Sequence, residues 1–104
     1  MSETTIQLAQ VFSDTPGGRY RLKGEKSGEE FRDDYLKPAL ATGAIVNVDL
    51  NGAYGYPYSF LDEAFGILID QIGRKKFDAQ LKITITDDSV SKRRLEEVIR
   101  KHTK

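Results

Sequence analysis

The most apolar stretch of the chain, residues 44–50 (AIVNVDL), constrains the fold more than any other segment. A short run of β-branched and apolar residues is typical of a central strand buried on both faces. An apolar helical stripe follows from Ser59 to about Ile72, and residues 81–86 (LKITIT) then alternate like a second strand. A strand, a helix and a strand in this order predict a parallel pair joined by a right-handed crossover.

The segment before this unit predicts an N-terminal antiparallel hairpin. Residues 5–12 (TIQLAQVF) are rich in β-branched and apolar side chains, and residues 19–23 (RYRLK) alternate charged with apolar ones. Between them, SDTPGG contains the proline and glycines that form tight turns. We therefore expect two short paired strands at the start of the domain.

Three main helices complete the prediction. The first begins at Ser27, because Ser27 and Glu30 have the spacing of a capping box, and Pro38 should kink or end it. Arg32 falls on the face of this helix that we expect to contact water. The second is the helix from Ser59, and the third lies at the carboxyl-terminal end of the chain. The order β-β-α-β-α-β-α predicts an α/β (α+β) fold with a mixed sheet of four or five strands.

The composition limits both the architecture and the location of the protein. A length of 104 residues with 38% hydrophobic and 31% charged residues fits one globular domain over residues 1–104. Cysteine is absent, which excludes disulfides and thiolate metal sites. Because the sequence has no long apolar run and no apolar leader, we expect a cytoplasmic domain that does not associate with a membrane. Composition leaves the oligomeric state open.

The net charge is zero, but the charges are unevenly distributed. Residues 1–73 contain 6 basic and 11 acidic side chains (net −5), and residues 74–104 contain 10 basic and 5 acidic ones (net +5). The basic part includes Arg74, Lys75 and Lys76, which we assign to the end of the preceding helix, where cations complement the helix dipole. Because no aromatic residues alternate with the basic ones, a nucleic-acid partner is not indicated.

Few residues could support catalysis. His102, the single histidine, lies near the carboxyl terminus, where we expect the last helix to fray. With no cysteine and no second histidine, we expect no catalytic triad, no metal site and no cofactor. An enzyme built on this chain would have to use a carboxylate such as Asp49 or Glu63. We interpret Asp87 and Asp88, two adjacent carboxylates after a strand, as the cap of the final helix.

An anion site is one hypothesis for the start of the first helix. Residues 24–28 (GEKSG) resemble a phosphate-binding loop only loosely, because Lys26 and Ser27 lie between the two glycines rather than after them. Free amides at the start of a helix can still bind anions. We therefore consider Arg19, Lys26 and Ser27 a candidate anion-binding group.

The segment after the apolar strand, residues 51–60, is the strongest candidate for a binding site. It contains Tyr54, Tyr56 and Tyr58 around a glycine and a proline. In open α/β sheets, ligands bind at the carboxyl ends of parallel strands, which is where this loop should lie. Tyrosines there either anchor a partner or cover the edge of the core. Ser59 has the position of a helix cap.

Three segments resemble one bacterial family. Gly18–Arg19, SGEEFRD (27–33) and VDLNGAYGYPYSFLDEAFG (48–66) are similar to the STAS-like domains of unknown function of the DUF4325 type. The resemblance spans roughly residues 5–100. The same strand, loop and helix are distantly similar to the STAS domain of anti-sigma-factor antagonists. The resemblance implies a STAS-like fold.

The STAS resemblance also implies a regulatory function. In the antagonists, a partner kinase phosphorylates a hydroxyl residue that corresponds to Ser59, although Pro57, Tyr58 and Phe60 depart from the surrounding motif. We therefore expect a non-catalytic module of bacterial signalling that docks on a partner protein, such as a histidine-kinase-type ATPase. Residues 51–60 would form the docking surface, and Ser59 is the candidate phosphoacceptor. The alternative is a domain that senses a small ligand or nucleotide with the same loop.

Overall fold

The sheet consists of three parallel strands within residues 2–103, the part of the chain that the computed structural model describes. In chain order the strands are β1 (Glu3–Gln7), β2 (Ile45–Asp49) and β3 (Leu81–Thr84). Strand β2 lies between the other two, and Ile6, Val48 and Ile83 are aligned across the sheet. The central position predicted for the apolar run is confirmed.

Five helices accompany this sheet in the described residues. They are α1 (Leu8–Val11), α2 (residues 28–41), α3 (residues 58–72), α4 (Arg74–Gln80) and α5 (Ser89–His102). In α2, a π-helical turn (Arg32–Leu36) separates the α-helical segments Gly28–Phe31 and Lys37–Ala41. In α3, a second π-helical turn (Asp62–Gly66) separates Tyr58–Leu61 from Ile67–Ile72. The three predicted main helices are α2, α3 and α5.

The predicted antiparallel hairpin is wrong, and so is the mixed sheet of four or five strands. β1 pairs in parallel with β2, and the residues after it form the helical turn α1. Residues Arg21–Lys23 form a 3₁₀ turn instead of a strand. The apolar side chains of that segment, Tyr20 and Leu22, are 47% and 92% exposed, so the alternation did not mark a buried face. The segment instead packs its backbone against the start of α2, where Gly28 N donates to Gly18 O (2.9 Å).

Only one face of the sheet is buried. Val46 and Val48 of β2 are 0% and 1% exposed and belong to the hydrophobic core. On the opposite face, Thr5, Asn47 and Lys82 lie side by side, and Thr5 and Lys82 are exposed. The prediction that β2 is buried on both faces is therefore wrong, because the helices cover a single side.

Pro38 does not end helix α2, which continues to Ala41. The π-helical turn lies immediately before it, and Lys37 N donates to Arg32 O across five residues. A wider turn of this kind absorbs the irregularity that a proline introduces into a helix. The helix therefore accommodates the proline without stopping.

Helices α2 and α3 approach each other most closely at Gly28. A Cβ atom at this position would lie 2.5 Å from Phe60 O, so a larger residue would push the two backbones apart. This contact brings the start of one π-helical turn, Arg32, next to Glu63 in the other. The close packing thus positions charged side chains between the two helices.

Candidate functional site

The tyrosine loop, defined as residues 51–58, connects β2 to α3 at the carboxyl ends of the strands. Asn51 Oδ1 accepts hydrogen bonds from Thr86 N (2.8 Å) and Asp87 N (3.1 Å). Gly52 N donates to Asp87 Oδ2 (2.9 Å). These bonds join the loop to the segment after β3 and hold its first residues in place.

Tyr56 is a core residue of this loop, and its assignment as a binding residue stays a prediction. Its side chain is 1% exposed, and its hydroxyl donates to Leu50 O (2.8 Å). Its amide donates to Ser91 Oγ (3.0 Å), and Arg94 Nη1 donates to Tyr56 O (3.0 Å). Burial, with a smaller contribution from nearby carboxylates, raises the pKa of Tyr56 well above its usual range. The neutral hydroxyl therefore serves as a fixed hydrogen-bond donor.

The other two tyrosines face an open depression, here called the tyrosine cleft. Tyr54 is 86% exposed, although its amide is fixed by a hydrogen bond to Asp14 O (2.8 Å). Tyr58 is half-buried, and Lys101 Nζ lies 5.6 Å from the centre of its ring. The cleft has a volume of about 580 Å³ and is lined by Thr15, Pro16, Tyr54, Gly55, Tyr56, Pro57, Tyr58 and Arg94.

Ser59 is not the cap of helix α3, contrary to the prediction. The helix begins one residue earlier, at Tyr58, and the extended residue Pro57 occupies the cap position. Leu61 N donates to Pro57 O (3.2 Å), so the helix is already formed at Ser59. Within residues 2–103, the half-buried Ser59 hydroxyl makes no hydrogen bond. Its assignment as a phosphoacceptor stays a prediction.

The predicted anion site at the start of α2 has no free backbone amide. All four of the first amides have acceptors inside the domain, namely Gly18 O, Arg19 O, Ser27 Oγ and Ser27 O. Ser27 is buried and caps the helix, as its spacing from Glu30 predicted. Lys26 lies over the ring of Phe12 (5.2 Å), and Arg19 is paired with acidic side chains of α3. No backbone amide at this helix start is left for an anion, and the assignment of Arg19, Lys26 and Ser27 as an anion-binding group stays a prediction.

A buried ion network joins α2, α3 and the loop before α2. Arg32 Nη1 contacts Glu63 Oε2 (2.6 Å) and also donates to Glu63 O (2.9 Å). Arg19 Nη1 contacts Asp62 Oδ2 (2.5 Å) and Glu63 Oε1 (3.3 Å). Arg32, Asp62 and Glu63 are all buried, so the expectation that Arg32 faces water is wrong. The charges compensate one another away from solvent.

His102 lies in the last turn of helix α5 and completes the network. Its Nε2 lies 2.6 Å from Asp62 Oδ1, and its Nδ1 lies 3.0 Å from Asp70 Oδ1. The side chain is only 10% exposed, because the ring rests against Gly66, where a Cβ atom would lie 2.5 Å from it. Asp62, Gly66 and Asp70 recur every four residues on one face of α3. Two carboxylates on either side of a glycine, at this spacing, are the sequence pattern that could have indicated a cationic side chain bound between them.

The segments that resembled a bacterial family in the sequence therefore meet in three dimensions. A family model described as a STAS-like domain of unknown function (DUF4325) matches residues 27–91. The chain belongs to this family. The match spans all of α2, the tyrosine loop and all of α3, and it includes Arg32, Asp62 and Glu63. No curated protein and no solved structure shows significant similarity to the chain.

The carboxylates of this STAS-like domain that could have supported catalysis are occupied by internal contacts. Both oxygens of Glu63 contact arginines. Asp49 accepts hydrogen bonds from Gln7 Nε2 (3.1 Å) and Asn51 N (2.9 Å). Burial raises the pKa of Asp62, but Arg19 and His102 outweigh that effect, so its pKa is lowered and it stays ionised. The network is suited to holding helices together.

Within residues 2–103, no helix of this STAS-like domain combines the length and the apolar character that crossing a bilayer demands. Asp88 is the N-cap of the terminal helix α5, and its carboxylate accepts from Ser91 N (3.0 Å), as the capping interpretation predicted.

Replacing His102 with glutamine should make the stability difference from the native protein depend on pH. Burial lowers the pKa of His102, but its bonds to Asp70 and Asp62 outweigh this, so the pKa is raised above 6.5. A raised pKa means that the imidazolium contributes fully below about pH 6.5 and loses its contribution as the pH rises through the raised value. We expect the variant to be less stable by about 1.5 kcal/mol in mild acid, and by less in alkali. Urea unfolding of both proteins at several pH values measures this difference, and a constant difference would contradict the assignment.

Proposed function

We propose that this STAS-like domain is a non-catalytic regulatory module that binds a partner protein through the tyrosine cleft and the first turn of α3. The observation that carries the proposal is Tyr54, whose ring is 86% exposed on a loop with a fixed backbone. A large amphipathic ring held in one place loses little conformational entropy on binding. Such a residue is well suited to anchor a partner.

The composition and shape of the cleft favour a protein over a small ligand. Tyrosine and arginine are enriched among the residues that dominate binding energy at protein interfaces, and the cleft combines Tyr54 and Tyr58 with Arg94. A small-molecule site usually encloses most of its ligand, whereas this depression is shallow and wide. The partner class that we propose, from the resemblance to STAS antagonists, is a histidine-kinase-type ATPase of bacterial signalling. A small ligand or nucleotide is the alternative occupant.

Phosphorylation of Ser59 would act on this surface through the ion network. Ser59 and Asp62 are three residues apart and therefore neighbours on one face of α3. Asp62 contacts Arg19 (2.5 Å) and Lys101 (3.5 Å), and Lys101 also lies over the ring of Tyr58. A phosphate at Ser59 would repel Asp62 and compete for both cations. The cleft would then lose the arrangement of Lys101 and Tyr58 that a partner meets.

Replacing Tyr54 with alanine should weaken partner binding at least about tenfold without changing stability, because the ring is exposed and anchors the interface. The partner is first isolated from the native cells with the tagged domain, and the affinity of the purified pair is then measured by calorimetry. Leu22→Ala is the matched control, because Leu22 is 92% exposed and does not line the cleft. Equal affinities of the native protein and the Tyr54 variant would disprove the proposal.

Two further experiments test the phosphorylation of Ser59 and the alternative occupant of the cleft. Ser59→Asp should weaken partner binding more than Ser59→Ala, since only the first adds negative charge beside Asp62. A melting-temperature increase with a nucleoside triphosphate that Tyr54→Ala abolishes would favour the sensing function. Equal binding of the two Ser59 variants would remove the switch from the proposal.

A further inference from the structure

A groove runs along the edge of the sheet outside β3, on the opposite side of β3 from β2. It lies between β3, α4 and α5 and has a volume of about 410 Å³. Its apolar lining consists of Phe77, Leu81, Ile83, Ile85, Leu95 and Ile99. This groove is separate from the tyrosine cleft, because the two share no lining residue.

The backbone of β3 points unused hydrogen-bonding groups into this groove. Asp49 is aligned with Thr84, and Leu50 N donates to Thr84 O (2.8 Å), so Thr84 directs its backbone groups toward β2. Backbone direction alternates along a strand, so Ile83 and Ile85 direct theirs toward the open edge. Among residues 2–103, the N–H groups of Ile83 and Ile85 have no hydrogen-bond acceptor. An edge of this kind is a template for another strand.

The other edge of the sheet is polar. Glu3, Thr4 and Thr5 of β1 are exposed, and none of them is an apolar residue. Only the β3 edge, among the two, combines free backbone groups with an adjacent apolar groove. An added strand would therefore bind at β3.

We infer that the occupant of the β3 edge is β3 of a second copy of this chain, paired antiparallel about Ile83. In that register, Ile83 lies opposite its own equivalent and Leu81 lies opposite Ile85, so the apolar side chains of both copies share the grooves. Lys82 lies opposite Thr84, so no like charges face each other. Each copy then contributes the same residues to the interface, as two-fold symmetry requires.

Charge complementarity at the two ends of the groove selects this orientation. Asp78 lies at the end where β3 begins, since Lys82 Nζ donates to Asp78 O (3.0 Å). Lys92 lies at the opposite end, where it lines a depression with Thr86. Antiparallel pairing brings Lys92 of each copy to the Asp78 end of the other. Asp78, whose carboxylate pairs with Arg74 in its own copy (2.8 Å), then faces a second cation at each end of the dimer interface. A parallel pairing would place like charges together.

Sedimentation equilibrium of the full chain from micromolar to millimolar concentration tests the inference. We expect a monomer–dimer equilibrium that Ile83→Pro weakens roughly tenfold or more, because each dimer loses two main-chain hydrogen bonds. The Ile83 N–H is not used within the sheet, so proline leaves the pairing of β2 and β3 intact. Ile83→Ala is the control, because it shortens the side chain but keeps the N–H. Its effect should be smaller.

Charge exchange then tests the register. Asp78→Lys and Lys92→Asp should each weaken the dimer severalfold, and the double variant should restore it. The inference would be overturned by a monomer at every concentration, by a dimer that Ile83→Pro leaves unchanged, or by failure of the double variant to recover. A chain that stays monomeric but binds an extended peptide of alternating apolar residues at this edge would also overturn it, since the occupant would then be foreign.

Discussion

Replacing Arg32 with alanine is expected to destabilise the domain by about 3–5 kcal/mol, because it leaves a buried carboxylate without its main partner. Arg32 is 5% exposed and binds both the carboxylate and the carbonyl of Glu63, at 2.6 Å and 2.9 Å. Arg19 contacts Glu63 at 3.3 Å and compensates only part of the charge. The free energy of unfolding, measured by urea denaturation, gives the size of the loss.

A matched control variant separates the effect of breaking a buried ion pair from the effect of losing an arginine side chain. Arg21 also pairs with a carboxylate of α2, Asp34, at 2.7 Å, but both side chains are about half exposed. Arg21→Ala should therefore destabilise the domain far less than Arg32→Ala does. The double variant Arg32→Met, Glu63→Leu should recover most of the stability, because it removes both buried charges together. Similar losses from Arg32→Ala and Arg21→Ala would show that the network does not stabilise the fold.

Replacing Val48 with aspartate should unfold the domain. Val48 is 1% exposed at the centre of β2, and the carboxylate would have no cation within the apolar core, at a cost of several kcal/mol. Asn47→Asp, one position earlier, is the control because Asn47 lies on the open face of the sheet, where its side chain donates to Glu3 (2.9 Å). Far-ultraviolet circular dichroism and thermal unfolding should separate the two variants. A folded Val48→Asp protein would mean that the core is misassigned.

Sequence reasoning predicted the elements whose hydrophobic pattern is long and regular. The helices α2, α3 and α5 and the strands β2 and β3 all have clear apolar faces. The failures lie at residues 8–12, at residues 19–23 and in α4. Residues 8–11 form helix α1 instead of extending the first strand, and residues 19–23 alternate without being buried. Helix α4 contains Phe77 as its single buried residue and begins with three cations after Gly73, so it was interpreted as the end of α3.

The candidate site was predicted in part for a similar reason. Its position after the central strand follows from topology, but the alternation of buried and exposed rings does not. Tyr56 is buried because its hydroxyl reaches Leu50 O, and Tyr54 is exposed although both belong to the same five-residue cluster. The ion network was missed because the partners of Arg32 and His102 are 31 and 40 residues away in the chain. A helical pattern cannot distinguish a solvated charge from a buried, paired one.

Site-specific photo-crosslinking in the native cells tests the central claim, that the tyrosine cleft is the docking surface, most directly. A benzophenone amino acid is introduced at Tyr54 in one protein and at Leu22, an exposed position outside the cleft, in another. We predict a discrete crosslinked complex from position 54 that is absent from position 22, and that disappears when Ser59→Asp is added. A complex formed from position 22 and not from position 54 would contradict the account.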